Sequence, residues 1–363
     1  RSRQRLAKLP SLGGRRASRK GQPESVRNAA ITGWGMYIPE RVMTNLDLER
    51  MVDTSDEWIV ARTGIRERRL ATSNDTTVSM AATASRKALA IAGVDPMEID
   101  LLILATDTPD KLMPASSSVL QAELGAMRAG AFDLDAACSG FVYALSVGTQ
   151  FIRSGVYETV LVVGADSLTR YIDFTDRGTC ILFGDGAGAV VLQASDADEG
   201  VLSTVLGSDG RGAQHLYVDG IRPTDVPNGN GHGATVPVPT MKMNGTEVFK
   251  FAVKVMGEAA VEAIDQAGLS VADIDLFIPH QANMRIIDAS ARRLELSRDK
   301  VFINIERYGN TSAASIPMCI AEAADCGRLQ PGMNVVLVAF GAGLSWAANV
   351  VRWGSTGTRR RGE

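Results

Sequence analysis

One passage of this chain occurs twice. "AGVDPMEIDLLIL", from Ala92, and "AGLSVADIDLFIP", from Ala267, align without a gap. Each follows an alanine-rich helical stretch and runs into an unbroken apolar strand. The offset from Ala92 to Ala267 recurs between "VLVVGA" at Val160 and "VVLVAF" at Val335. It nearly recurs between "FDLDAACSGF" at Phe132 and "ERYGNTSAAS" at Glu306. Repeated matches at one offset are the mark of a duplicated unit. Duplication restricts the fold more than any other feature, because both copies must accept the same layout.

That layout is α/β. Runs such as "LLILAT", "VLVVGA", "DLFIP" and "VVLVAF" lack the alternation of half-buried strands, so their sheets are covered on both faces. Helical stretches alternate with them. Two similar halves are expected over 28–200 and 201–356, with apolar strands "AFDLD" and "VFINI" leading into the small-residue turns of each. Functional residues in such folds gather where strands end and helices begin. Cys138 stands at that junction in the first half, and Asn310 at nearly the matching one in the second.

Composition sets the remaining bounds. Of 363 residues, 45% are hydrophobic and 22% charged, as in ordinary globular chains. A net charge of −3 argues against nucleic acid as a partner. No apolar run has the length of a membrane span. The cysteines Cys138, Cys180, Cys319 and Cys326 show no CxxC spacing, and His215, His232 and His280 form no ligand cluster. A reduced, cytoplasmic protein without a metal is expected. Residues 1–27 carry nine Lys/Arg against one Glu and read as a disordered basic arm. If that arm is a transit peptide, a plastid-type compartment follows. The tail, 357–363, reads as disordered too.

For chemistry, Cys138 in "DAACSGF" sits at a helix start, where free N–H groups and the helix dipole lower a thiol's pKa. Small neighbours leave room for an acyl group. Read alone, it is equally a small buried hydrophobe. His280 in "IPHQANMRI" follows a buried strand, and Asn310 in "YGNTSAAS" either caps the next helix or faces a cleft. A pseudo-twofold axis would bring the junctions of Cys138 and Asn310 together. The alternating glycines of "FGDGAGAVVL" run into a strand rather than opening a helix, so they are not a dinucleotide loop. They are expected to allow close backbone approach in the core of the first half.

Together, "DAACSGF", "HQAN" and "YGNTSAAS", with "DTSDEWIVARTGIRERR", "TDRGTCILFGDGAGAVVL" and "FGAGLSW", resemble the β-ketoacyl-acyl-carrier-protein synthase III family over residues 29–353. The resemblance implies a duplicated thiolase-like fold with a layered αβαβα core. It implies a condensing acyltransferase that starts fatty-acid synthesis. Cys138 takes an acyl group from acyl-CoA, malonyl-acyl-carrier protein loses carbon dioxide, and the resulting enolate attacks the thioester. His280 and Asn310 stabilise the enolate oxygen, and the backbone N–H groups of Cys138 and Ala342 hold the tetrahedral oxyanion. No cofactor is implied: the coenzyme A thioester is substrate, and phosphopantetheine arrives on the carrier.

The same resemblance implies that Trp58 and Arg177 sandwich the adenine of coenzyme A, with Arg62 near its phosphates. The competing role for Trp58 is packing in its own helix, begun by a capping box over "TSDE". Met113, Leu168 and Phe183 are implied to line an acyl pocket, Met113 by reaching into the partner of a homodimer. Lys250, Arg285, Arg292 and Arg293 offer a basic face for an acidic carrier protein, or are simply solvated. Met113 and Thr246 depart from the phenylalanine and asparagine frequent in the family, which bears on primer length and pantetheine contacts. A related acyl-CoA condensing or acyl-transfer enzyme of secondary metabolism, and a silent cavity-shaping subunit, are the alternatives. The silent subunit would lack the nucleophile. A thiolase would need a second catalytic cysteine, and Cys319 and Cys326 are badly placed for that.

Overall fold

The computed structural model describes residues 27–220 and 239–354. The expected arm, apart from Arg27, the expected tail and His232 lie outside the described residues. The unbroken apolar runs form fully buried strands: Leu101–Ala105 and Thr159–Asp166 expose nothing. They lie inside a five-stranded sheet ordered Asn28–Tyr37, Gly186–Ser195, Thr159–Asp166, Leu101–Ala105, Gly130–Leu134. A second sheet runs Leu276–Pro279, Asn334–Gly341, Ser345–Arg352, Gly200–Ser208.

The repeat holds at the level of register. Leu101 pairs in parallel with Val160, and their repeat counterparts Leu276 and Val335 pair in parallel as well. One expected strand fails to form. In "VFINI" only Val301 bridges the second sheet, opposite Phe277. The buried Gln281 accepts from the amides of Asn304 and Ile305, at 3.1 and 3.2 Å, which draws the chain off the sheet edge. The short helix Ile305–Tyr308 follows.

The helices Gly140–Arg153 and Ser315–Asp325 lie between the sheets, in one core with strand residues of both: Ile103 and Val162 from one side, Ile278 and Leu337 from the other. Thr77–Ala92 covers the outer face of the first sheet and Gly245–Gln266 that of the second. The result is five layers. The glycines of "FGDGAGAVVL" serve the second half as well as the first. A Cβ on Gly188 would stand 2.6 Å from the Met318 amide nitrogen, and one on Gly184 would stand 2.3 Å from the Tyr308 carbonyl. The close approach is thus between halves. Among the described residues, no helix is long and apolar enough to cross a membrane.

Candidate active site

The first sheet delivers Cys138. After strand Gly130–Leu134 the chain turns sharply through Ala137–Ser139 into helix Gly140–Arg153. Ala137 takes φ 49°, unfavourable for a residue with a Cβ and common where a functional turn is over-determined. Asp135 accepts from the Ala137 amide at 3.2 Å, and the Ser139 and Ser345 hydroxyls meet at 2.8 Å. Gly341, at the end of a second-half strand, abuts this turn. A Cβ there would lie 2.6 Å from the Cys138 nitrogen, so only glycine leaves that amide room.

Cys138 is buried, and its Sγ lies 3.3 Å from the Ser312 hydroxyl. That hydroxyl also lies 2.9 Å from Asp107 Oδ2. Burial first, and then the Asp107 carboxylate, push the thiol up from its ordinary value, while the Ser312 hydrogen bond lowers it. The lowering expected from the helix start is therefore outweighed, because the thiol faces buried carboxyl groups and no cation. Asp107 is itself raised well above the carboxylate range, by burial, then Asp166, then Asp135.

His280 follows strand Leu276–Pro279 and is held by its amide, which donates to Val338 O at 2.8 Å. Its ring packs edge-on against Phe340. Nδ1 meets the Ser315 hydroxyl at 2.6 Å, and Nε2 is buried without a hydrogen-bond partner. Burial lowers the imidazole to about 3, so it is neutral at physiological pH. A neutral ring carries one proton, and with Ser315 donating to Nδ1 that proton would sit on Nε2, the nitrogen left for the cleft. Asn310 faces the cleft and is not the helix cap, the residue before Ser312 being Thr311 and that before Ser315 being Ala314. Its Oδ1 accepts from the Ser312 amide at 2.9 Å, just ahead of the turn Ser312–Ala314, which leaves Nδ2 as the donor end. Its backbone pairs with Phe183 in an isolated bridge.

Cys138, His280 and Asn310 line one cleft, with Phe183, Phe249 and Ile286 among its apolar walls. Other expected residues fall elsewhere. Gly341, not Ala342, lines the cleft; Ala342 is half-buried against the core. Leu168 is a core residue away from the cleft wall. Met113 is 82% exposed beside Leu112 at 90%, on a loop away from the cleft. Thr246 is exposed, and its neighbour Gly245 lines the cleft instead.

The guanidinium carbons of Arg62 and Arg177 stand 4.5 and 5.0 Å from the Trp58 ring centroid. Arg177 also donates to Asp53 O at 2.8 Å. The helix of Trp58 and Arg62, Asp56–Thr63, is capped by Ser55, one residue after the expected Thr54. The Ser55 hydroxyl accepts from the Trp58 amide, and with Trp58 at the third position no reciprocal box closes. Gly64, at φ 77°, ends the helix against Met284, beside the cleft residues Asn283 and Ile286. Arg285 lies over Phe249 at the cleft. Lys250 pairs with Glu247 at 2.8 Å and Arg293 with Glu258 at 3.5 Å, while Arg292 is exposed.

Sequence reading missed Asp107, Asp166, Ser312 and Ser315. The last two stand in "NTSAAS" and had a signal: Ser312 matches Ala137 at the repeat offset. The two aspartates gave none, since they are remote in sequence from both turns.

Two family profiles match the chain. One is described as 3-oxoacyl-[acyl-carrier-protein] synthase III over residues 132–210, the other as the C-terminal part of the same over 264–353. A β-ketoacyl-acyl-carrier-protein synthase III of Roseiflexus castenholzii is 54% identical over 327 residues, covering 90% of this chain and 98% of its own. That of Symbiobacterium thermophilum is 53% identical over 331 residues, covering 91% and 99%. Among solved structures, the β-ketoacyl-acyl-carrier-protein synthase III of Thermus thermophilus superposes with TM-score 0.83 at 48% identity, covering 90% and 99%. A priming β-ketosynthase of the R1128 polyketide pathway gives 0.86 at 39%, covering 93% and 99%.

Proposed function

We propose residue roles from one premise: the chain belongs to the 3-oxoacyl-acyl-carrier-protein synthase III family and has its duplicated thiolase-like fold. It is a condensing acyltransferase that joins an acyl-CoA primer to malonyl-acyl-carrier protein, with loss of carbon dioxide, to start fatty-acid synthesis. The reaction needs no metal or cofactor. The halves that carry it are taken as 28–200 and 201–356.

Cys138 attacks the acyl-CoA carbonyl, and the coenzyme A thiol leaves. The oxyanion so formed rests on the amides of Cys138 and Ala342. Malonyl-acyl-carrier protein then enters and decarboxylates. His280, through Nε2–H, and Asn310, through Nδ2–H, donate to the enolate oxygen without needing a full charge. The enolate carbon attacks the Cys138 thioester and releases the enzyme. One observation carries this reading: Cys138, Asn310 and a neutral His280 with an unpartnered Nε2 share one apolar cleft.

Trp58 and Arg177 take the adenine between them and Arg62 a phosphate. Arg177 first has to leave the face of Trp58 that it now covers. Lys250, Arg285 and Arg292 receive the acidic carrier at the cleft mouth, with Arg293 contributing once freed from Glu258. The exposed pair Leu112 and Met113 is proposed to be covered by a second copy in a homodimer, Met113 entering the partner's acyl pocket. A cytoplasmic location belongs to the same proposal. It is supported by the bacterial sources of the relatives, which speak for no plastid compartment.

Intact mass after incubation with acetyl-CoA tests the nucleophile. An acyl adduct is expected that Cys138→Ala abolishes. No adduct, or one surviving that substitution, refutes the assignment. A series of acetyl-, isobutyryl- and longer acyl-CoAs then defines the primer.

A further inference from the structure

The thiol of Cys138 is awkwardly placed for a nucleophile. Among the described residues no Lys, Arg or His forms an ion pair or hydrogen bond with it, and the charges that bear on it are the carboxyl groups of Asp107 and Asp166. Yet its contact with Ser312 is shared. Ser312 Oγ lies 3.3 Å from Cys138 Sγ and 2.9 Å from Asp107 Oδ2, and one hydroxyl proton cannot serve both at once. Two proton arrangements therefore fit the same atoms. In one, the thiol donates to Ser312, which donates to an ionised Asp107. In the other, a protonated Asp107 donates to Ser312, which donates to a thiolate.

We propose that Asp107, acting through Ser312, is the acceptor of the Cys138 proton during acylation. This rests on Cys138 being the nucleophile. The step balances. The S–H proton passes to Ser312 as the Ser312 proton passes to Asp107, leaving a thiolate and a neutral carboxyl group. The Cys138 sulfur then bonds to the acyl carbon, whose bond to the coenzyme A sulfur breaks. The departing sulfur takes a proton from water, and Asp107 returns its own to water by way of the exposed Asp135.

The groups facing Asp107 fit it for this. Asp166 on the neighbouring strand, Asp135 before the turn and burial all raise the proton affinity of Asp107, which makes its ionised form a strong acceptor. Asp166 Oδ1 fixes the Asp107 amide at 2.8 Å. Ser312 touches the reacting sulfur, whereas Asp107 acts on it through Ser312 and is a positioning residue.

The rival view makes Asp107 a charged bystander, and it predicts the opposite sign. A bystander carboxylate repels the thiolate, so Asp107→Asn would make Cys138 more reactive. If Asp107 takes the proton, the substitution makes Cys138 less reactive. The measurement is the rate of Cys138 alkylation by iodoacetamide from pH 6 to 9, read by intact mass on the full chain, with Cys138→Ala as blank. A rate about tenfold lower at pH 7, with the rising limb moved about one pH unit upward, is expected for Asp107→Asn. Asp135→Asn lowers the proton affinity of Asp107 and is expected to slow alkylation by a smaller factor. Its side chain is exposed, so it decides the matter if Asp107→Asn does not fold. Unchanged or faster alkylation overturns the proposal. Alkylation needs no acyl-CoA, so this failure is distinct from failure of the acyl adduct itself.

Discussion

The turns at Ala137–Ser139 and Ser312–Ala314 are copies of one another. Ala137 and Ser312 both take left-handed backbone, φ 49° and 50°, and are counterparts at the repeat offset. The next residues are Cys138 and Ala313. What meets their amides differs. The Cys138 amide faces Gly341, which has no side chain, whereas the Ala313 amide donates to Asp166 Oδ2 at 3.1 Å. Asp166 and Gly341 are themselves counterparts at that offset. One turn thus keeps an open amide beside a sulfur, and the other has its amide closed by a carboxylate and bears a methyl group. The second turn supports the first. Ser312 touches the thiol, Asn310 accepts from the Ser312 amide, and Ser315, at the helix start, meets the ring of His280.

The contrast can be broken at several points. Cys138→Ala is expected to cut condensation by on the order of 10^4-fold or more. Adding Ala313→Cys to it restores no acyl adduct, since Asp166 occupies the place of the oxyanion. Gly341→Ala forces a Cβ against the Cys138 amide, and acylation falls by about 10^2 to 10^3-fold in single-turnover assays. Asp166→Ala strips acceptors from Thr106, Thr108, the Asp107 amide and the Ala313 amide. It is expected to cost about 3 kcal/mol in urea denaturation, because buried donors lose their partners.

Ser315→Ala frees the His280 tautomer. Decarboxylation of malonyl-carrier protein falls about tenfold while acylation of Cys138 is untouched, a split a merely structural serine would not produce. The smallest effect is on stability against pH. Burial holds His280 at about 3 in the fold against 6.5 unfolded. Below pH 6.5 the unfolded chain binds a proton the folded one refuses, so this group subtracts about 1.4 kcal/mol per pH unit on acidification. Asp166, raised to about 6, works the other way: its contribution is present at low pH and lost as pH rises through 6. Because the two slopes oppose each other, the readout is a difference: urea midpoints at pH 7, 6 and 5 for His280→Gln should move progressively in the variant's favour relative to the unaltered chain.

Much of this was legible beforehand because strand burial and repetition are local patterns. The two sheets, their shared register and the junctions of Cys138 and Asn310 follow from apolar runs at one offset. The strand expected at "VFINI" failed because Gln281, on the far side of helix Met284–Arg293, holds the amides of Asn304 and Ile305. Trp58, Arg62 and Arg177 meet at one place on the surface. Met113 and Leu168 miss the cleft of this chain, one lying on an exposed loop and the other in the core.

By itself the sequence determined that two α/β units would form and that a cysteine, a histidine and an asparagine would stand at strand ends. Only the tertiary structure decided which turn would be open. That depends on Gly341 meeting the amide of Cys138 and Asp166 meeting that of Ala313, contacts between the two halves of the chain. Hydrogen bonding and steric room at such places are properties of packed surfaces, and no local run of residues encodes them.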